Sequence, residues 1–194
     1  MKYDPEKHHR HSIRLKGYDY SQPGGYVVTI VTQNRECLFG DVADGKMVLN
    51  GFGEIIEYYW QRLPQHFKHI KLDVFQIMPN HLHGIIIITD PNVGAMHSRN
   101  EIVNQNRKSI RNASPLQKRP HGTQPGSLPA IVQNFESVTT RKINHIRKTP
   151  GQKLWQRNYW EHIIRDDNDF NRICEYIINN PLQWESDDEN PGKP

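Results

Sequence analysis

Ile70-Lys71-Leu72-Asp73-Val74-Phe75-Gln76-Ile77-Met78-Pro79-Asn80-His81-Leu82-His83-Gly84-Ile85-Ile86-Ile87-Ile88 is the stretch on which the fold turns. Its first eight residues alternate apolar with mostly polar side chains, the pattern of a half-buried strand. Pro79-Asn80 then turns the chain into an apolar block that reads as a fully buried strand, so the two are antiparallel neighbours. His81 and His83 stand at the mouth of that second strand. Residues i and i+2 of a strand share a face roughly 6.5 to 7 Å apart, so both imidazoles can lean toward one ion about 2.1 Å from each nitrogen. Leu82 points to the opposite face. Paired histidines also occur in strands for packing reasons, so the rest of the chain must supply the remaining groups of a site.

Upstream, Tyr26-Val27-Val28-Thr29-Ile30-Val31-Thr32 is rich in β-branched residues and predicts a strand after the Gln22-Pro23-Gly24-Gly25 turn. Residues 40–51 hold turn formers and a short hairpin. Ile55, Ile56, Tyr59, Trp60 and Leu63 recur at helical spacing up to Pro64, which should stop that helix. Downstream, Pro129 suits the first turn of a helix whose apolar stripe is Ile131, Val132, Phe135, Val138, Ile143 and Ile146. A strand follows around Trp160 to Ile164. A last helix is capped by Asp166 or Asp167 and halted by Pro181. The order β, α, β, β, α, β, α predicts an α+β fold of the split-βαβ, ferredoxin-like type, an antiparallel sheet with helices mainly on one face.

At 194 residues, the chain fits one substantial domain over residues 1–184. From Asp90 to Gly126 the periodicity disappears, which predicts a flexible basic insertion. Residues 185–194 read as a disordered acidic tail. Residues 91–165 carry 13 Lys and Arg against 3 Asp and Glu, while residues 166–194 carry 2 against 8. A basic middle of this kind suits a polyanionic partner, nucleic acid above all, although a solvated loop accounts for part of it. Cys37 and Cys174 are the only cysteines, which suggests a reducing compartment. No apolar run approaches the length of a membrane span, so the chain is expected to be cytoplasmic, with no membrane partner.

On the last helix, Phe170, Ile173, Cys174 and Ile177 form the buried stripe, and Tyr176 and Asn180 fall together on its flank, 40° apart on a wheel of about 100° per residue. Two neutral imidazoles and an amide oxygen make a partly open metal site that leaves room for a phosphate oxygen or water. A tyrosine one helical turn away supplies a nucleophile. No G-x-S-x-G, P-loop or dinucleotide-binding glycine pattern is present.

Met78-Pro79-Asn80-His81-Leu82-His83-Gly84 resembles the HUH motif of single-tyrosine transposases, in which U is a bulky apolar residue. Trp155 through Arg165, with Tyr176-Ile177-Ile178-Asn179-Asn180-Pro181, resembles the REP-associated tyrosine transposase branch of that family. The resemblance runs from about Tyr26 to Pro181, with the basic insertion between. It implies His81 and His83 as metal ligands, Asn180 as the third, Tyr176 as the nucleophile and Mg²⁺ or Mn²⁺ as the cofactor. No organic cofactor is expected. His162 competes with Asn180, because Pro181 disfavours α backbone at residue 180. The implied activity is cleavage and rejoining of single-stranded DNA, at hairpin repeat ends, through a 5′-phosphotyrosine. The branch also implies a monomer with Tyr176 acting in its own subunit, a dimer being the alternative.

Arg35, Arg141, Lys142 and Arg157 are the basic residues expected near DNA, with Trp155 and Tyr159 as stacking groups. Two other readings remain open at this point. One is a non-catalytic hairpin-binding protein; the other is a hydrolase in which His81, His83 and His162 hold Zn²⁺.

Overall fold

A computed structural model describes Leu15, residues 17–90 and residues 123–193. Most of the expected insertion, residues 91–122, lies outside the described residues. Four strands form the main sheet: β1 (Gly24–Val31), β4 (Ile70–Ile77), β5 (His81–Ile88) and β6 (Trp160–Ile163), in the order β4-β5-β1-β6. Every neighbouring pair is antiparallel. Each crossover helix therefore joins two strands that have another strand between them, which is the expected split-βαβ arrangement.

A second, two-stranded sheet pairs β2 (Gly40–Ala43) with β3 (Lys46–Leu49). Asp44 (φ 49°) and Gly45 (φ 68°) join them in the left-handed conformation that a tight hairpin requires. Helix α1 (Gly51–Gln61) starts where the Asn50 side chain accepts from the amides of Phe52 and Gly53. It ends at Gln61, ahead of Pro64 as expected, and the proline sits in the first turn of the short α2 (Leu63–His66). Helix α3 (Leu128–Arg147) ends at Lys148, which is left-handed at φ 57°. Helix α4 (Asp167–Asn179) is capped by Asp166, whose carboxylate accepts from the Asp169 amide.

The alternation along β1 and β5 divides the core. Tyr26, Val28, Ile30, Leu82, Ile86 and Ile88 join Trp60 and Phe135 on the face covered by α1 and α3. Val27, Ile85 and Ile87 join Phe170, Ile173 and Ile177 of α4 on the other face. Two helices thus share one face and α4 alone covers the second, where the histidines lie.

Residues 185–193 are not the frayed tail that their composition suggested. After α4 the chain continues as a 3₁₀ turn (Asn180–Ser186) led by Pro181, with Asn180 helical at φ −56° and ψ −40° despite the proline that follows. The Asn190 side chain then donates to the Trp184 carbonyl, Arg35 Nε lies 2.8 Å from Glu189 Oε2, and the Asn80 side chain donates to the Glu189 carbonyl at 2.6 Å. Side-chain hydrogen bonds to a distant turn hold this acidic stretch, so local composition could not reveal it. Among the described residues no helix is long and apolar enough to cross a membrane, and both cysteines are free.

Gly84 pairs with Val28, on the face that packs against α1. A Cβ there would stand 2.3 Å from Cζ2 of buried Trp60. Gly84→Ala should therefore cost about 1 to 3 kcal/mol by overpacking. A urea denaturation midpoint equal to that of the parent would refute this account of the glycine.

Candidate metal centre and nucleophile

β5 delivers His81 and His83 to the same face, both buried. Their Nε2 atoms are 3.0 Å apart. Each imidazole is oriented by a second group. Asn80 Nδ2 donates to the carbonyls of Arg35 and Glu189, at 3.1 and 2.6 Å, so its Oδ1 is the acceptor that faces His81 Nδ1 at 2.8 Å. The His81 proton is thereby held on Nδ1 and the Nε2 lone pair is left facing His83. His83 Nδ1 meets the Thr29 hydroxyl at 2.8 Å, a partner that can donate or accept.

Asp187 completes a cluster in which the ligand atoms of His81, His83 and Asp187 all lie within 4.8 Å of one another. Asn180 Nδ2 donates to Asp187 Oδ2 at 3.2 Å, while Asn180 Oδ1 is buried without a hydrogen-bond partner of good geometry. These observations fit a bound cation. Two nitrogens about 2.1 Å from one ion and at right angles to each other stand about 3.0 Å apart, as the two Nε2 atoms do. Hydrogen bonds from outer groups to ligating imidazoles, and an orphaned amide oxygen beside a carboxylate, are the accompaniments such a centre needs.

Tyr176 leaves α4 one turn before Asn180, its ring meeting the His83 ring edge-on at 5.3 Å between centroids. It is 46% exposed and borders an open cavity. Burial pushes its pKa above the ordinary phenol value. Asp187, Asp188 and Glu189 push the same way, and a hydrogen-bonding contact with Asn180 partly opposes them. His83 and Tyr176 line an open cavity of about 710 Å³ with Thr29, Trp160, His162, Arg172 and the 186–189 segment.

The expected residues therefore divide. His81, His83, Asn180 and Tyr176 converge. His162 lines the same cavity but is held 2.6 Å from Asp169 Oδ2, outside the ligand cluster, and the arrangement gives no support to a three-histidine zinc site. Trp155 is in the core against Phe39 and Phe135 and donates to Thr139, and Tyr159 is buried. Burial withdraws both from base stacking. Arg141 and Lys142 are exposed on α3, and Arg157 on the loop before β6, none of them lining the cavity. Arg35 is half-exposed and tied to Glu189. Sequence reasoning missed Asp187, Thr29 and Asn80. Asn80, immediately before the H-x-H motif, was the one with a local signal.

No family model matches the chain. An uncharacterized protein of Haemophilus influenzae is 40% identical over 193 residues, 96% of each chain, so the two belong to one family. A second H. influenzae protein, a candidate REP-associated tyrosine transposase, is 50% identical over 30 residues, 16% of this chain and 17% of its own length. A solved structure of a REP-associated tyrosine transposase bound to a REP hairpin superposes with a TM-score of 0.53 at 15% identity, covering 90% of this chain and 74% of that one. The chain has the tyrosine transposase fold. The motifs of β5 and α4 thus resemble the family whose fold the chain shares.

Burial pushes the His81 imidazole down to about 4, with Asn180 opposing, and pushes His83 down to about 3, with His81 adding to the shift and Asp187 opposing it. Both are neutral at pH 7, whereas in the unfolded chain they titrate near 6.5. The unfolded state binds more protons in that interval. The resulting stability is fully present above pH 6.5 and is lost as pH falls from 6.5 toward 4 for His81 and toward 3 for His83, by up to about 1.4 kcal/mol per pH unit per histidine. Urea midpoints of the metal-free protein should fall over that range, and His83→Gln should flatten the slope. An unchanged slope in the variant would assign the acid sensitivity to other groups.

Proposed function

We propose that the protein cleaves and rejoins single-stranded DNA at hairpin ends, with Tyr176 as the nucleophile and a divalent cation, Mg²⁺ or Mn²⁺, held by His81, His83 and Asp187. The carrying observation is the convergence of a solvent-open tyrosine with two neutral imidazoles whose Nε2 atoms are 3.0 Å apart. The hairpin substrate is proposed from the similar structure, whose protein is bound to a REP hairpin. Asn180 takes the role of a further oxygen ligand and orients Asp187. The cation, when bound, would offset negative charge on the scissile phosphate.

In the reaction the Tyr176 oxygen forms a bond to phosphorus as the bond to the 3′-oxygen breaks. The phenolic proton ends on the departing 3′-hydroxyl, and the 5′-phosphate stays on the tyrosine. Retaining the phosphoryl bond energy in that linkage lets the 3′-hydroxyl return, or a different strand replace it. Asp187, Asp188 and Glu189 disfavour the phenolate, so cation binding and tyrosine activation are expected to be coupled. Asn80 and Thr29 fix the two imidazoles before any ligand arrives.

Incubation with end-labelled hairpin oligonucleotides and Mn²⁺ should yield a protein–DNA adduct that survives denaturation and is abolished in Tyr176→Phe. Cleavage that persists in that variant would overturn the tyrosine mechanism. Calorimetric titration with Mn²⁺ alone should show affinity unchanged by Tyr176→Phe. Thr29→Val should weaken it about tenfold, because the hydroxyl that orients His83 is gone.

A further inference from the structure

We propose that Trp160 and His162 form a stacking platform for one unpaired nucleobase beside the scissile phosphate; this rests on the single-strand reading above. Trp160 is 51% exposed on β6, an edge strand, and belongs to neither core cluster. Its indole lies parallel to the His162 ring, at 3° between planes and 5.9 Å between centroids. The ring borders the same cavity as Tyr176 and His83.

The platform is fixed. His162 Nε2 is 2.6 Å from Asp169 Oδ2, and Asp169 is itself bound by the Arg165 amide at 3.2 Å and by Arg172 at 2.6 Å. A network of this kind holds the imidazole at one angle, and the imidazole supports one face of the indole. The strand register sets its distance from the chemistry. One row across the sheet runs Gln76, His83, Thr29, Trp160, so Trp160 stands two strand spacings from His83, about 10 Å. That span matches the reach of a nucleotide from its phosphate to the far edge of its base. An aromatic face accepts any base, so the platform would position a strand rather than read its sequence.

The test compares two fluorescein-labelled 12-mers of equal charge, dT12 and an abasic deoxyribose-phosphate 12-mer, by anisotropy in Mn²⁺. Wild-type protein should prefer dT12 by about tenfold. Trp160→Ala should bring the two affinities together, and Trp160→Phe should retain most of the preference. An undiminished preference in Trp160→Ala overturns the platform alone, whereas failure of wild-type protein to bind either 12-mer overturns the single-strand reading and the platform with it. A second measurement needs no variant. Photocrosslinking of dT12 containing one 5-iodouracil should mark the peptide around Trp160, and crosslinks confined to other peptides would refute the proposal.

Discussion

The pairing of β1 with β5 is the constraint on which the rest of the structure depends. Val28 opposite Gly84 brings the smallest residue of β5 under Trp60, and Thr29 opposite His83 places a hydroxyl on the Nδ1 of that histidine. A slip of one residue would reverse every side chain of the strand, carrying both imidazoles into the apolar face against α1 and α3 and aiming Ile86 at the site. The glycine and the threonine therefore enforce one register from opposite faces of the sheet. Fold and site share this single alignment, which explains why a chemically polar motif can sit inside a fully buried strand.

Neutrality is what makes the buried pair tolerable. Two imidazolium ions with their nitrogens 3.0 Å apart in a buried setting would repel each other and lack solvation, and burial holds both rings in the uncharged form. In the acidic segment on the wall of the same cavity, Glu189 and Asp188 are paired with Arg35 and Lys193, whereas Asp187 faces the two neutral histidines. A phosphodiester approaching this wall meets like charge. One divalent cation would relieve both features, engaging the two lone pairs and offsetting the Asp187 carboxylate, so the electrostatics and the nitrogen geometry point to the same occupant.

Local pattern carried much of this into the sequence. Alternation marked β4 at its observed bounds, the apolar block marked β5, and the helical wheel placed Tyr176 and Asn180 together before any third dimension was known. What stayed hidden was long-range. Asp187 reaches the histidines because a 3₁₀ turn after Pro181 bends the chain back and Asn80 catches the Glu189 carbonyl, a contact across 109 residues. The aromatics between residues 155 and 160 show the same limit. Trp155, Tyr159 and Trp160 are equivalent by composition, yet the bridge between Thr32 and Trp155 turns the first into the core, and pairing of Thr29 with Trp160 leaves the last exposed beside the site.

The placement of Tyr176 answers a conflict built into its proposed role. A nucleophile must be held still, yet a strand of DNA must reach it. Helix α4 meets both needs by anchoring Ile173 and Ile177, one turn before and one residue after, in the core against Ile85 and Ile87. The backbone beneath Tyr176 is thereby fixed while its ring projects from the flank, half-exposed and braced against His83. Asn180, one turn further on, is buried and bound to Asp187, so the same helical edge that presents the nucleophile also presents the oxygen groups of the candidate cation site. Spacing of four residues on a rigid helix fixes the separation of nucleophile and cation, which a loop would leave to thermal motion.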